Sequence, residues 1–377
     1  MARAPAILEP DAAPPEPDRA APAPHPRHAP QVFGHDPAAA AFAEAWDAGR
    51  LHPAWLISGP RGIGKATLAW RLARAVLAAR GAAGEAPLAL DLPPDDPQFS
   101  RVASLGEPRL RLLRRGWDDK TKRLRTRIVA EDARALKTLF EQTAADGGWR
   151  VAVIDCLDET NPQAANALLK LIEEPPARAL FLLIAHAPSR VLPTIRSRCR
   201  SLPLSPLAPD ALGRALAQAD PDLRTTPALA ALAEGSAGEA LRLAAQGGPA
   251  LYAELAEIVA RAPGSDRARW HAWAQAAAGR DGEARFDATL RLVALLCQRL
   301  ARAGAGRPPS PAAAPEEPSL AARLAAGPAQ ARLWAEAAQA IPARAAQARA
   351  VNLDPDRIVL DIFAGLDAAA RKAAAAR

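Results

Sequence analysis

Ala54-Trp55-Leu56-Ile57-Ser58 runs directly into Gly59-Pro60-Arg61-Gly62-Ile63-Gly64-Lys65-Ala66-Thr67, and this stretch decides the fold. A short apolar run followed by a glycine-rich turn reads as a buried strand. The periodic run from Lys65 to about Leu77 reads as a helix, so the turn joins a strand to a helix N-terminus. That is the setting of a P-loop. Backbone N–H groups wrap the phosphates, the helix dipole adds partial positive charge, and the lysine reaches the outer phosphates. Gly59, Gly62, Gly64, Lys65, Ala66 and Thr67 are therefore candidate nucleotide-binding positions. One of them departs from the pattern: a magnesium-binding Ser or Thr belongs after the lysine, and Ala66 stands there. Thr67 comes one residue late, about 100° further round the helix.

Working outward, 377 residues leave room for two or three domains and a large core. Aromatic residues are 4% of the chain, and the abundance of Ala, Arg and Pro favours helices joined by stiff loops. A net charge of +7 is compatible with work near nucleic acid without requiring it. Cys156, Cys199 and Cys297 are far apart and offer neither a disulfide pattern nor a zinc framework, so a cytoplasmic location and no zinc are expected. No apolar run reaches the roughly 18 residues of a membrane helix, and no membrane partner is expected.

Residues 1–27, rich in Pro and Ala without periodicity, read as a disordered leader. A helix is predicted from Pro37 to about Ala48. Residues 81–126 read as irregular, with a strand at Arg109–Arg114 and a charged loop from Trp117. Arg127–Val129 is expected as a short strand, and Glu131–Thr143 as a helix, before a tight turn at Asp146-Gly147-Gly148. Apolar runs at Trp149–Ile154 and Leu180–Ile184, with a short strand at Arg200–Pro203, complete a parallel sheet wrapped by helices. Beyond Pro206 the pattern is helical throughout, interrupted by a Pro/Ala/Gly linker at Gly304–Pro318.

Val151-Ala152-Val153-Ile154-Asp155 has the form of a strand whose terminal acid holds magnesium. A hydrolysing ATPase of this kind places a Glu next, to polarise the attacking water; here the residue is Cys156. The cysteine reads as a small core-filling residue, since no His partner is placed nearby in the sequence.

Asn166-Ala167-Leu168-Leu169-Lys170-Leu171-Ile172-Glu173-Glu174-Pro175-Pro176 resembles the N-A-L-L-K-x-x-E-E-P-P signature of bacterial clamp-loader subunits. Ser197-Arg198-Cys199 matches the S-R-C motif of the same family, the AAA+ proteins of the DNA polymerase III holoenzyme. The resemblance covers roughly residues 30–245; the C-terminal third is similar only in being helical. It implies an α/β P-loop AAA+ core over 28–205, a small helical lid over 206–246 and a helical collar domain over 247–377 that oligomerises.

The family contains motor and non-motor subunits, so the departures carry the functional reading. Besides Ala66 and Cys156, the sensor-1 region reads Ala185-His186 where a motor subunit carries a polar pair. The sensor-2 segment Gly235-Ser236-Ala237-Gly238-Glu239 has glycine in place of its arginine. Each such loss removes several kcal/mol of transition-state stabilisation. The resemblance implies that Arg198 acts as an arginine finger on a neighbouring subunit's ATP. It also implies that the chain is a passive member of a hetero-oligomeric ring with the gamma/tau and delta subunits, working on the sliding clamp and primer-template DNA. Asp155 and the P-loop residues leave ATP or ADP binding without hydrolysis open. The alternative is an ATP-hydrolysing motor subunit. The basic loop Lys120–Arg127 reads as a solvated face or subunit contact rather than a DNA contact.

Overall fold

The computed structural model describes residues 15–79, 81–141, 147–279 and 282–376. In chain order the strands are β1 (Ala54–Ser58), β2 (Leu110–Arg114), β3 (Trp117–Asp118), β4 (Arg123–Leu124), β5 (Arg150–Asp155), β6 (Ala179–Ala185) and β7 (Arg200–Pro203). The helices among them are α1 (Asp36–Asp47), α2 (Lys65–Ala78), α3 (Pro97–Ala103), α4 (Ala130–Glu141), α5 (Pro162–Glu173) and α6 (Pro193–Arg196). They are followed by α7 (Pro209–Ala219), α8 (Pro227–Ala233), α9 (Ala237–Ala245), α10 (Gly248–Ala260), α11 (Arg267–Ala278) and α12 (Gly282–Gly304). α13 (Glu317–Leu324), α14 (Pro328–Ala350) and α15 (Pro355–Ala375) complete the chain.

A parallel five-stranded sheet in the order β2-β5-β6-β1-β7 forms the N-terminal core. Both of its faces are covered, so β1 and β6 are buried along their whole length. Alternate residues divide cleanly between the faces. Trp55, Ile57, Val153 and Leu182 pack with Phe42 and Trp46 of α1 and Leu68 and Leu72 of α2. Leu56, Ile154, Phe181 and Leu183 pack on the other side with Leu136 and Phe140 of α4 and Leu168 of α5. Local signals set the helix starts: the Asn161 side chain accepts from Ala164 N at 2.7 Å, with Pro162 in the first turn of α5.

Three local expectations differ from the structure. Residues 81–126 contain α3, started by Asp96, whose carboxylate accepts from Gln98 N. The charged loop is an antiparallel hairpin of β3 and β4, with Asp118 Oδ1 accepting from Lys120 N and Thr121 N across its turn. Arg127–Val129 makes a single bridge, Ile128 to Thr160, rather than a strand. The expected turn at Asp146 falls partly outside the described residues.

The N-terminal leader is the larger correction. Residues 1–14 lie outside the described residues, but residues 15–28 are held to the core by charge. Arg114 NH1 bonds Asp18 Oδ1 at 2.5 Å and Glu16 Oε1 at 3.2 Å, and His25 Nε2 lies 2.8 Å from Asp18 Oδ2. Arg74, buried on α2, donates to the carbonyls of Arg27 and Ala29 at 3.0 and 2.8 Å. The His25 ring stands edge-on to Trp70, 5.9 Å between centroids. A segment of low hydrophobicity is thus ordered by ion pairs to residues distant in sequence.

Burial alone would raise the Asp18 carboxyl. The hydrogen bond and charge of His25, with the charge of Arg114, outweigh it and hold the group below its ordinary 3.8. Its stabilisation is therefore present above that value and lost as the pH falls through the lower native one. Asp18→Asn is expected to cost about 1–3 kcal/mol near neutral pH, and the gap to wild type narrows on acidification. Urea midpoints followed from neutral to acidic pH check both.

The described residues fall into two compact units: residues 15–223 with Gly235–Leu241, and Arg224–Glu234 with residues 242–376. This partition differs from the expected three-part layout, because the stretch read as a lid is shared between the two. In the second unit, Trp270 and Trp273 pack on Phe363, and Tyr252, Leu292 and Trp334 are fully buried. The C-terminal part of Gly304–Pro318 is packed rather than a free linker: Ala313 and Ala314 are buried, and Ala313 N donates to Glu317 Oε2 at 2.6 Å. Among the described residues, no helix is long and apolar enough to cross a membrane.

Candidate functional site

The glycine-rich loop lies at the C-terminal edge of the parallel sheet, between β1 and α2, where ligands of such sheets bind. Gly59, Gly62 and Gly64 have φ of 145°, 74° and 101°, conformations that glycine alone adopts readily. Lys65 is 3% exposed, and its Nζ donates to the carbonyls of Gly59, at 2.8 Å, and Pro60. Burial lowers the Lys65 ammonium to about 8, against the opposing pull of Asp155 and Asp158. His35, the N-cap residue of α1, packs against the loop. Its Nε2 lies 2.6 Å from Ile63 O, so it braces the loop itself. The sequence held no signal for that beyond its position at the start of α1.

Ala66, at the expected magnesium position, packs against the apolar cluster beneath the sheet. Thr67 follows it on α2 and is half-buried. Asp155 closes β5, and its carboxyl is raised to about 7, first by burial and then by the Asp18 carboxylate, against Lys65 and Arg61. Cys156 is buried beside it, its thiol pushed far above its ordinary value by burial and the neighbouring carboxylates. Asp158 accepts from the N–H groups of His186 and Ala187 at 2.9 and 3.1 Å, while Glu159 bonds Arg61 at 2.6 Å and Arg115 at 2.8 Å. Both acids are thus committed to other bonds. These groups do not fit a hydrolysable magnesium nucleotide, since an alanine and a cysteine occupy the positions that would hold the metal and polarise water.

The sensor-2 segment closes directly on the loop. Ser236 Oγ donates to Arg61 O at 3.0 Å, and Gly238 N donates to Gly62 O at 2.9 Å. A Cβ at Gly238 would meet Gly62 Cα at 3.0 Å and Ala20 Cβ at 3.6 Å, so an arginine has no place in this arrangement. A Cβ at Gly62 would meet Ser236 Oγ at 2.3 Å. Gly62→Ala is expected to cost about 1–3 kcal/mol through positive φ and this clash, seen as a lowered thermal midpoint.

Arg198 lies elsewhere. It stands just before β7, which runs parallel to β1 with Arg200 level with Trp55. The P-loop begins after Ser58, at the opposite end of β1, whose five residues span about 16 Å. The Arg198 guanidinium is exposed, pairing with Glu173 at 2.9 Å and donating to Thr194 O at 3.1 Å. The resemblance gave Arg198 to a neighbouring subunit's nucleotide, and within this chain the fold keeps it apart from the P-loop.

A family model described as DNA polymerase III, delta subunit, matches residues 34–208, which span the loop, β5, α5 and the S-R-C segment. Over that segment the chain is similar to clamp-loader subunits of DNA polymerase III. The delta' subunit of Pseudomonas aeruginosa is 36% identical over 212 residues, covering 55% of this chain and 60% of that one. The delta' subunit of Bacillus subtilis is 30% identical over 171 residues, covering 45% and 47%. The gamma/tau subunit of Mycobacterium tuberculosis is 32% identical over 192 residues, covering 50% and 30%. The chain thus spans between 30% and 60% of the length of these clamp-loader relatives.

Proposed function

We propose that this chain is a delta-prime-type stator of a bacterial clamp loader: a cytoplasmic, non-motor subunit that supplies an arginine finger to a neighbouring ATPase subunit. One observation carries the reading. Arg198 is exposed at the end of the sheet opposite its own P-loop, so a nucleotide it serves belongs to another subunit. The alanine, cysteine and glycine at positions 66, 156 and 238 support it, since they leave the chain's own loop without a catalytic set. ATP or ADP held there without hydrolysis has only the loop's backbone N–H groups and Lys65 to bind through. The partners on this reading are gamma/tau and delta subunits in a ring, and, through the ring, the sliding clamp and primer-template DNA.

The match to gamma/tau relatives favours a second reading, an ATP-hydrolysing motor subunit, for which Lys65 and Asp155 are in place. ATP turnover of the reconstituted loader, with clamp and DNA present, separates the two. The stator reading requires loss of turnover with Arg198→Ala and no turnover by the isolated chain. The motor reading requires loss with Lys65→Ala and none with Arg198→Ala.

A further inference from the structure

The C-terminal ends of β5 and β6 bring together three groups that the sequence keeps apart. Asp155 is the last residue of β5, Cys156 follows it, and His186 follows the last residue of β6, the neighbouring parallel strand. A carboxylate oxygen of Asp155, Cys156 Sγ and a ring nitrogen of His186 all lie within 4.8 Å of one another. His186 Nδ1 is buried and has no hydrogen-bond partner among the described residues. Asp158 grips the backbone N–H groups of His186 and Ala187, so the imidazole is delivered from a fixed segment.

We propose that Asp155, Cys156 and His186 form a binding site for a divalent transition-metal ion of the zinc class. A carboxylate oxygen, a thiolate and an imidazole nitrogen form a borderline donor set with a fourth position left for water, which suits zinc; magnesium, a hard ion, takes oxygen ligands. Bonds of about 2.0–2.3 Å set tetrahedral ligands about 3.5 Å apart, so side-chain adjustment closes the trio. As the metal–sulfur bond forms, the thiol proton passes to solvent. The dication with one carboxylate and one thiolate is then neutral, which suits a largely buried position. Sequence spacing predicted no zinc because a metal framework was sought along the chain, whereas these ligands meet across two strands joined through α5. The proposal is independent of the stator reading, since it concerns neither Arg198 nor turnover.

The test uses the full chain, stripped with chelator and titrated with cobalt(II) under reducing conditions. The expected result is one equivalent bound, with a thiolate-to-cobalt charge-transfer band that zinc displaces. Cys156→Ser removes the band and weakens zinc binding about 100-fold or more. His186→Asn keeps the Cys156 thiolate and the band but weakens binding similarly, and far-UV circular dichroism verifies that each variant is folded. Cys199→Ser leaves both readouts unchanged. Absence of a thiolate band in the wild type, or its retention in Cys156→Ser, overturns the proposal.

Discussion

Replacing Arg198 by alanine is expected to lower ATP turnover of the reconstituted loader by about three orders of magnitude, the lower end of what an arginine finger contributes. Releasing Arg198 for that role is inexpensive. Both it and Glu173 are about two-fifths exposed, and a surface pair of this kind holds the side chain by about 0–1 kcal/mol. The guanidinium is thus parked rather than anchored. Arg198→Lys should recover only part of the activity, because a point charge replaces a planar fork that can grip phosphate oxygens in pairs. Glu173→Gln should change turnover little. Loss confined to Glu173→Gln would mean that the ion pair, and not the finger, matters to the assembly.

The largest expected loss of stability comes from Arg299→Ala in the C-terminal unit. Arg299 is 2% exposed and pairs through two nitrogens with Glu317, itself 5% exposed; it also donates to the carbonyls of Ala231 and Pro311. Tyr252 Oη and Ala313 N donate to the same carboxylate. Truncating the arginine leaves Glu317 buried without its counter-charge, a change that costs about 3–5 kcal/mol. The urea midpoint of this unit should fall with little change in slope. Replacing both partners together, Arg299→Met with Glu317→Leu, should recover most of the loss, since burying two charges is expensive even when they are paired. A double variant as unstable as Arg299→Ala would show that the backbone carbonyls, not the carboxylate, set the cost.

What the sequence made legible follows from the range of each signal. The apolar runs of β1, β5 and β6 announced a parallel sheet because strands buried on both faces are continuously hydrophobic. Ala66, Cys156 and Gly238 were readable as departures because their positions are defined by neighbours in the motif. The steric reason for Gly238 was not, since Gly62 approaches it from far along the chain. β3 and β4 escaped notice because two-residue strands full of charge carry no periodicity. The ordering of residues 15–28, the packing of the C-terminal part of Gly304–Pro318 and the grouping of Asp155, Cys156 and His186 were likewise hidden. Each depends on partners that only the folded chain supplies.

The bonds that tie residues 15–28 to the core also impose an order on synthesis. Arg114 follows Asp18 by 96 residues, so at about 5–20 residues per second the ribosome delivers the counter-charge about 5–20 s after the segment it holds. Until then the N-terminal stretch has no ionic partner at that edge, and β2 emerges as an uncovered border strand. The first part of this unit to leave the ribosome is among the last to be secured.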